Sequence, residues 1–219
     1  VTGIAETRDS ALALVEKYQD RHLADRVFEL TWTHSQVVLR QLNATEADAQ
    51  LYAHLASAVI HANPLLRADP AVLVRNRRGQ AGLWGYAISG DLPIVLLQIG
   101  DAANIDLVRQ LVQAHAYWRL KGLAVDLVIW NEDHAGYRQR LQEQIMGLIA
   151  SGIEASVIDR PGGIFVRLAE QISSEDRILL QSVARAVITD NRGTLAEQLE
   201  RRSLSETRVP RLVPTRRYR

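Results

Sequence analysis

The sequence predicts an α/β fold: a small, mostly parallel sheet flanked by helices, built from Rossmann-like βαβ units and preceded by an N-terminal helical arm. The apolar run from Leu92 to Ile99 is typical of a strand covered on both faces, and Ala124 to Trp130 is predicted to be a second strand of this buried type. Between them, from about Ala103 to Lys121, apolar residues recur every three or four positions, as in an amphipathic helix. A strand, a helix and a second strand in this order form a βαβ unit.

The first 80 residues carry four helical patterns, which begin near Asp9, Arg21, Thr45 and Asp69. The third pattern has Asp48 in the acidic position of a capping box. In the second pattern, residues at intervals of three and four are predicted to face a core: Val27, Leu30, His34, Val37, Val38 and Leu42. An antiparallel bundle and an arm wrapped around the α/β part both fit these patterns.

The α/β part continues with alternating helix and strand patterns after the second strand. We predict a helix over about 135–151, a third strand over 155–158, and a strand at Ile164 to Leu168 that is antiparallel to its predecessor because the connection is short. A helix capped by Ser173 or Ser174 follows, with apolar positions as far as Val187, and then a short helix over 195–202. The predicted division is a helical arm (1–80), an α/β domain (81–202) and a basic linker or tail (203–219).

Charge and composition narrow the function classes. The net charge is +1, but residues 201–219 carry seven Arg against one Glu, so this end is at +6 and the rest at −5. With two prolines and no periodicity, the basic end reads as a linker rather than a nucleic-acid contact, although a charge-driven contact stays open. There is no cysteine and no apolar run of about 18 residues, so we predict no thiolate metal site and no membrane insertion. The start at Val1, without Met or a signal-like segment, predicts a piece of a longer polypeptide.

The best candidate ligand site lies at the carboxyl ends of the predicted strands, where open α/β sheets bind ligands. Asp101 follows the first strand, and Asn131 and Asp133 follow the second. Neither strand is followed by G-x-G-x-x-G or a Walker A pattern, so we predict no nucleotide cofactor. Two readings remain: a polar cluster that binds sugar hydroxyls, or carboxylates that cap helices. Trp84, in an irregular segment, is the aromatic residue best placed to join a surface site.

Other chemistry-bearing residues are assigned structural roles. His115 lies on an apolar helix face and is predicted to be a hydrogen-bonded core residue, whereas His134 follows a strand end and could act as an acid or base. Spacings typical of a metal site or a serine nucleophile are missing. Trp32, Trp118 and Trp130 lie in amphipathic or buried patterns and are predicted to be in the core. The residues alone therefore predict no catalytic set and no metal.

Several strings of the chain resemble cyclic β-1,2-glucan synthases. The most distinctive reads LWGYAISGDLPI, from Leu83 to Ile94. Further strings of the same family are Asn104 to Leu111, Ala114 to Gly122, Val125 to Ile129, Pro161 to Arg167 and Arg192 to Leu199. The resemblance covers most of the chain, from about Tyr18 to Arg202.

The resemblance implies a part of a very large inner-membrane protein of Gram-negative bacteria. Such synthases resemble a glycosyltransferase region, a cyclising region and a C-terminal part related to cellobiose and chitobiose phosphorylases. By resemblance, this segment lies between two β-sandwich modules, upstream of the (α/α)6 barrel that holds the general acid. No catalytic residue of the family can be carried onto it. The implied setting is the cytoplasmic face of the membrane, in a polypeptide that works as a transferase in carbohydrate metabolism.

Three functions are therefore kept. The favoured one is a non-catalytic α/β module that positions neighbouring sandwich and barrel domains of the same polypeptide, its expected partners. The alternative is a glucan- or phosphate-binding domain that uses the strand ends, with β-1,2-glucan as the candidate ligand. A free-standing enzyme is the least favoured. A large exposed apolar patch would support the first, and a polar pocket at the strand ends the second.

Overall fold

A computed structural model describes residues 5–20, 22–133 and 138–200, and it shows an all-parallel sheet of four strands in the order β3-β2-β1-β4. The α/β class and the N-terminal helical region agree with the prediction. The strands are β1 (Ile94–Ile99), β2 (Asp126–Asn131), β3 (Ile164–Leu168) and β4 (Ala186–Thr189).

Helices precede the sheet and connect its strands. In the N-terminal part these are α1 (Arg8–Gln19), α2 (His22–Gln41), α3 (Glu46–His61), α4 (Pro70–Arg75) and α5 (Ala81–Trp84). Within the α/β part they are α6 (Ile105–Leu120), α7 (Arg138–Ala150), α8 (Ser174–Val183) and α9 (Leu195–Glu200). The boundaries of α1, α2 and α3 lie within a few residues of the predicted patterns, and the capping box of Thr45 and Asp48 is present.

Helices cover both faces of the sheet. Successive side chains of a strand point to opposite sides, so each strand contributes to two cores. Val95, Leu97 and Ile99 of β1 pack in a core with α3, α6, α7 and α9. Ile94 and Leu96 point the other way and pack in a second core with α8. All six residues of β2 are buried, as expected for a strand inside a three-layer arrangement.

The chain winds in two directions from β1. It runs from β1 through α6 to β2 and through α7 to β3, with both helices on one face, and α8 on the opposite face then leads to β4 on the other side of β1. This is the doubly wound order, whose switch point lies between β1 and β4.

The strand β4 is missing from the prediction, which placed Ala186 and Val187 on a helix. The helix ends at Val183, and Ala184 takes extended backbone angles. A four-residue buried strand directly after an apolar helix face continues the apolar run, so periodicity does not separate the two.

The prediction for the segment before β3 is also wrong. Residues Ile153–Val157 form a 3-10 helix rather than a strand, and β3 pairs in parallel with β2. The short connection between residues 158 and 164 therefore does not join two antiparallel strands, as the prediction had it. It ends in a tight turn at Gly163, where an added Cβ would overlap the carbonyl oxygen of Val157.

The helical arm is attached to the sheet through its third helix. Tyr52 and Leu55 of α3 are fully buried in the core with α6. Of the residues predicted to face a core, Val38 in α2 and Leu42 just after it are buried. The prediction is wrong for Val27, Leu30, His34 and Val37, which are exposed. The helix α1 has no buried residue.

Of the three tryptophans predicted to be in the core, two are. Trp118 and Trp130 are buried. Trp32 is 67% exposed, so its predicted place in the core is wrong. Its helix meets the rest of the chain through the C-terminal half, where Val38 packs near Ala116.

Two glycine substitutions test the packing at the turn before β3. Gly163→Ala forces a methyl group against the backbone of Val157, and we expect a loss of about 1–3 kcal/mol in the free energy of unfolding. Gly147→Ala, on the exposed side of α7 with open space around it, should raise that free energy by about 0.5–1 kcal/mol. Urea unfolding followed by circular dichroism measures both. Equal stability of the two variants would contradict the described turn.

Candidate functional site

The switch point between β1 and β4 is closed by a carboxylate of the chain itself. Asp190, directly after β4, accepts hydrogen bonds at Oδ2 from the backbone N–H of Gly100 (2.8 Å) and of Asp101 (3.0 Å), directly after β1. In doubly wound sheets this crevice is where ligands bind. The two amides that would bind an anionic ligand here already have a partner.

A buried glutamine holds the end of β4 in place. Gln198 of α9 is 2% exposed; its Oε1 accepts from the Thr189 N–H (3.1 Å), and its Nε2 donates to the Thr189 carbonyl (2.8 Å) and the Gly193 carbonyl (2.9 Å). All hydrogen-bonding groups of the buried side chain are thereby used on the loop that carries Asp190. The position of Asp190 is therefore fixed by the core.

The predicted site residues at the other strand ends also have partners within the chain. Asn131, 3% exposed, accepts from the Asp133 N–H (3.0 Å) and donates to Gln142 (3.4 Å). Asp101 accepts from the Ala103 N–H (2.8 Å) and so caps the 3-10 turn before α6, as one of the two readings predicted. The amide of Gln98 donates to Glu132 (3.1 Å) across β1 and β2.

The structure brings Asp101, Asn131 and Asp133 to one edge of the sheet but places Trp84 elsewhere. The indole of Trp84 donates to the Ser89 carbonyl (3.3 Å), five residues before β1 begins. That turn leads to the amino end of β1, whereas the other three residues follow carboxyl ends. Across a six-residue strand the two ends are roughly 17 Å apart. Trp84 therefore does not join the three polar residues.

Asp190 is the residue that the sequence reasoning missed at this edge. Its signal was present, because Asp190 follows an apolar run just as Asp101 does. The apolar run before Asp190 fits a helix as well as a strand, so the sequence pattern alone does not mark Asp190 as a strand-end residue. With Asp101, Glu132 and Asp133, Asp190 makes the edge rich in carboxylates, which disfavours a phosphate ligand. His134, the candidate acid or base, lies outside the described residues, as does the basic segment 203–219.

No group of three or more His, Asp or Glu within the described ranges is arranged to hold a metal ion. None of the helices in the same ranges has the length and apolar character needed to cross a bilayer.

A second polar cluster lies inside the protein, beneath α6. His115 is 1% exposed; its Nδ1 lies 2.5 Å from Glu154 Oε2, and its Nε2 donates to the Val125 carbonyl (2.9 Å). Arg119 donates to Glu154 Oε1 from Nε (3.0 Å) and Nη2 (2.8 Å). The hydrogen-bonded core role predicted for His115 is confirmed. The cluster ties α6 to the 3-10 helix after α7 and to the start of β2.

The partners of Glu154 decide its charge. Burial alone would raise the pKa of the Glu154 carboxyl, but the hydrogen bonds and charges of His115 and Arg119 outweigh burial and hold this pKa below its ordinary value. Asp126, fully buried at the start of β2, has a raised pKa because its burial outweighs the hydrogen bond that it accepts from the Gly162 N–H (2.7 Å). Its other oxygen, Oδ2, has no hydrogen-bond partner among the described residues. Both carboxyls lie inside the protein, away from the switch point.

Comparison with known proteins relates the chain to a bacterial glucan synthase. No protein-family model matches the chain. The chain is 29% identical over 201 residues to the cyclic beta-(1,2)-glucan synthase NdvB of Rhizobium meliloti (strain 1021). It is a distant relative of that synthase. The match takes in 91% of this chain but only 7% of the synthase, so the chain spans a small part of its relative's length. The resemblance seen in the sequence is supported at this level, and the part related to phosphorylases remains a prediction.

The closed switch point predicts a stability effect at Asp190. In Asp190→Ala the amides of Gly100 and Asp101 lose their acceptor, and we expect a loss of about 1–3 kcal/mol in the free energy of unfolding. Asp190→Asn keeps a side-chain oxygen that accepts, so its loss should be smaller. Urea unfolding of both variants measures the difference. If Asp190→Ala is as stable as the original chain, water satisfies the amides and the crevice is open.

The buried cluster predicts a pH dependence at Glu154. Because its folded pKa is depressed, the carboxylate contributes stability above the pKa that it has in the unfolded chain, and this contribution is lost as pH falls through the folded value. Glu154→Gln should be roughly 3 kcal/mol less stable at pH 7, and the difference should shrink in acid.

Urea unfolding between pH 7 and pH 3 checks this expectation, with Glu29→Gln on the exposed part of α2 as the matched control. The control should stay within about 0.5 kcal/mol of the original chain at every pH. A difference between Glu154→Gln and the original chain that does not change with pH would show that the carboxylate is not held in its charged form.

Proposed function

We propose that the chain is a non-catalytic α/β module of a cyclic β-1,2-glucan synthase, on the cytoplasmic face of the membrane, which positions neighbouring domains of the same polypeptide. The relation to NdvB supports the family context, and the observation that carries the positioning role is an exposed apolar stripe on α2. This stripe consists of Val27, Leu30 and Val37, which are 49%, 59% and 46% exposed. The three residues share one side of the helix, because three and seven residues separate them at 3.6 residues per turn.

The helix that precedes α2 along the chain also exposes apolar side chains. Leu12, Val15 and Tyr18 of α1 are each about half exposed. Fully covering a Val or Leu side chain gains about 1.5–3 kcal/mol, so covering these two helices would stabilise a domain contact. Exposed apolar helix faces of this kind are typical of interaction sites.

A neighbouring domain of the same polypeptide is the occupant that we propose for the stripe. The relative matched by this chain is more than ten times as long, since the match takes in 7% of it, so the corresponding region there adjoins other parts of one long chain. Contacts between domains of one chain form at high effective concentration and need little affinity. We propose sandwich and barrel domains related to glycoside phosphorylases as these neighbours.

The non-catalytic part of the proposal follows from the hydrogen bonds at the switch point. Asp190 takes up the amides of Gly100 and Asp101, and Asn131 is engaged on both sides. Side chains that are hydrogen-bonded to one another in this way stabilise the fold and are not free to bind a substrate. The same contacts count against the phosphate half of the alternative function, because a phosphate would have to displace a carboxylate.

Substitutions in the stripe of α2 test the positioning role in the long synthase polypeptide that the proposal implies. Leu30→Asn together with Val37→Asn should lower the output of cyclic β-1,2-glucan by membranes at least about tenfold, since domain contacts of about 1.4 kcal/mol or more are lost. In the isolated chain the same change should shift stability by no more than about 0.5 kcal/mol per site, because both residues are exposed.

Glu29→Asn, one residue from Leu30 but on the polar side of α2, is the matched control and should leave glucan output unchanged. Hydrogen exchange supplies a direct readout: the amides of α2 should exchange more slowly in the long polypeptide than in the isolated chain. Equal exchange in both forms, or equal loss of output in the control, would contradict the positioning role.

A further inference from the structure

The helix α2 has a second exposed face with a different composition. Phe28 lies two residues before Leu30 and Trp32 two residues after it, and a step of two residues turns an α-helix by about 200°. Both aromatic residues therefore lie on the side opposite to the apolar stripe. They are 72% and 67% exposed. Whatever covers the stripe of Val27, Leu30 and Val37 does not cover them.

These aromatic side chains border a groove between α2 and α3, with Tyr117 of α6 among its lining residues. We call it the aromatic groove; its volume is about 480 Å³, within the range of about 300–1,000 Å³ that is typical of small-molecule sites. Three polar side chains that we use below also line it: Gln36 of α2, and Glu46 and Gln50 of α3.

The groove is built on a rigid base. The ring of Tyr117 packs against that of Tyr52, with centroids 6.0 Å apart, and Tyr52 is fully buried in the core. Lys121 lies over Tyr117, 5.7 Å from the ring centroid, and donates to Ser35 Oγ of α2 (3.1 Å). These contacts tie α2 to α6 beside the groove. The base of the groove at Tyr117 is therefore held in place by the core.

The lining combines flat apolar faces with two side-chain amides and one carboxylate. Indole and phenyl rings offer broad apolar surface to the C–H faces of a sugar ring, while the amides of Gln36 and Gln50 both donate and accept and the carboxylate of Glu46 accepts. None of the described residues that line the groove is Lys or Arg, and the ammonium group of Lys121 beside it is already engaged by the Tyr117 ring and by Ser35 Oγ. This composition fits a neutral polyhydroxyl compound.

A protein segment fits the groove less well. An apolar helix laid across Phe28 and Trp32 would also cover Gln36, Glu46 and Gln50, and polar groups that are buried without partners cost free energy. A sugar chain covers the same rings and supplies hydroxyl groups to those three side chains. The arrangement of rings and polar groups therefore favours a carbohydrate.

We propose that the aromatic groove binds an uncharged oligosaccharide, with Trp32 and Phe28 as the stacking platform and Gln36, Glu46 and Gln50 as hydrogen-bonding partners. If the proposed function in glucan synthesis holds, the sugar chain is a β-1,2-linked glucan, and this refinement rests on that function. The groove then holds glucan away from the strand ends, on the helical arm.

The test is an NMR titration of the ¹⁵N-labelled 219-residue chain with a linear β-1,2-linked glucohexaose, and separately with a β-1,4-linked glucohexaose. We expect saturable shifts at the Trp32 indole N–H and at backbone amides of α2 and α3 around the groove. Trp32→Ala should raise Kd at least about tenfold. Trp84→Ala, which removes an equally exposed tryptophan outside the groove, should leave Kd unchanged.

Because Trp32 is exposed, Trp32→Ala should keep the thermal unfolding temperature of the original chain, and Gln50→Ala serves as a second groove variant that should also weaken binding. Shifts confined to Asp101, Asn131 and Asp133 would overturn the groove and favour the strand-end site. No saturable shift up to about 10 mM sugar, or equal affinity in Trp32→Ala, would overturn the proposal. Equal binding of both hexaoses would support a neutral-sugar site and overturn the β-1,2 refinement.

One further measurement separates this proposal from the proposed function. Acrylamide quenching reports the exposure of Trp32 in the long polypeptide without added sugar, with Trp32→Phe as the reference that removes its signal. An accessible Trp32 supports a free groove, whereas a shielded Trp32 means that a protein segment fills it and overturns the sugar site. The stripe variants Leu30→Asn and Val37→Asn should bind sugar normally, so loss of positioning and loss of sugar binding can be told apart.

Discussion

The pairing of β1 with two parallel neighbours is the constraint on which the rest of the structure depends. All six of its residues pair with β2, and the four from Val95 to Gln98 also pair with β4. Since the connections to β2 and β4 lie on opposite faces, both faces must be covered, and the strand order must reverse at β1. The two cores, the crevice after β1 and the placement of Asp190 all follow from this one arrangement.

The crevice at the switch point shows that a fold does not by itself supply a function. Doubly wound sheets commonly bind an anion there through backbone amides, and this chain offers the same amides after β1. In this chain both amides donate to the carboxylate of Asp190, and Gln198 of α9 holds the loop that carries Asp190. An internal carboxylate in this place stabilises the loops and removes the attraction for phosphate. Other surfaces of the chain are therefore better candidates for binding a ligand or a partner.

The helical arm offers such surfaces because its helices are attached to different degrees. The helix α3 belongs to the main core through Tyr52 and Leu55, while α2 is held at its C-terminal half by Val38 and Leu42. Between Val27 and Val37, α2 exposes two faces of different chemistry. One is aliphatic and suits a domain contact; the other combines aromatic rings with amides and a carboxylate and suits a sugar. The two faces lie on different sides of the helix, so the two proposed partners would not compete for one surface.

The sequence by itself determined the α/β class, the strands β1 and β2, the helix between them, the capping box of Thr45, and the core positions of His115 and Trp118. These features depend on local periodicity and on capping residues, and both can be recognised within a single segment of the sequence. It also placed Asp101, Asn131 and Asp133 at the carboxyl ends of their strands, because the polar residues that end an apolar run can be read directly.

Only the tertiary structure decided the rest. The assignment of Ala186–Thr189 to a strand depends on pairing with β1, since an apolar run of four residues fits a helix equally well. The exposure of Trp32 depends on how far along its length α2 packs against α3 and α6. The apolar periodicity of α2 does not show where this packing ends. The separation of Trp84 from the strand ends, and the meeting of Asp190 with Gly100 across 90 residues, depend on strand order. Strand order is set by pairing between residues that are far apart in the sequence, so it cannot be read from local patterns and becomes visible only in the folded structure.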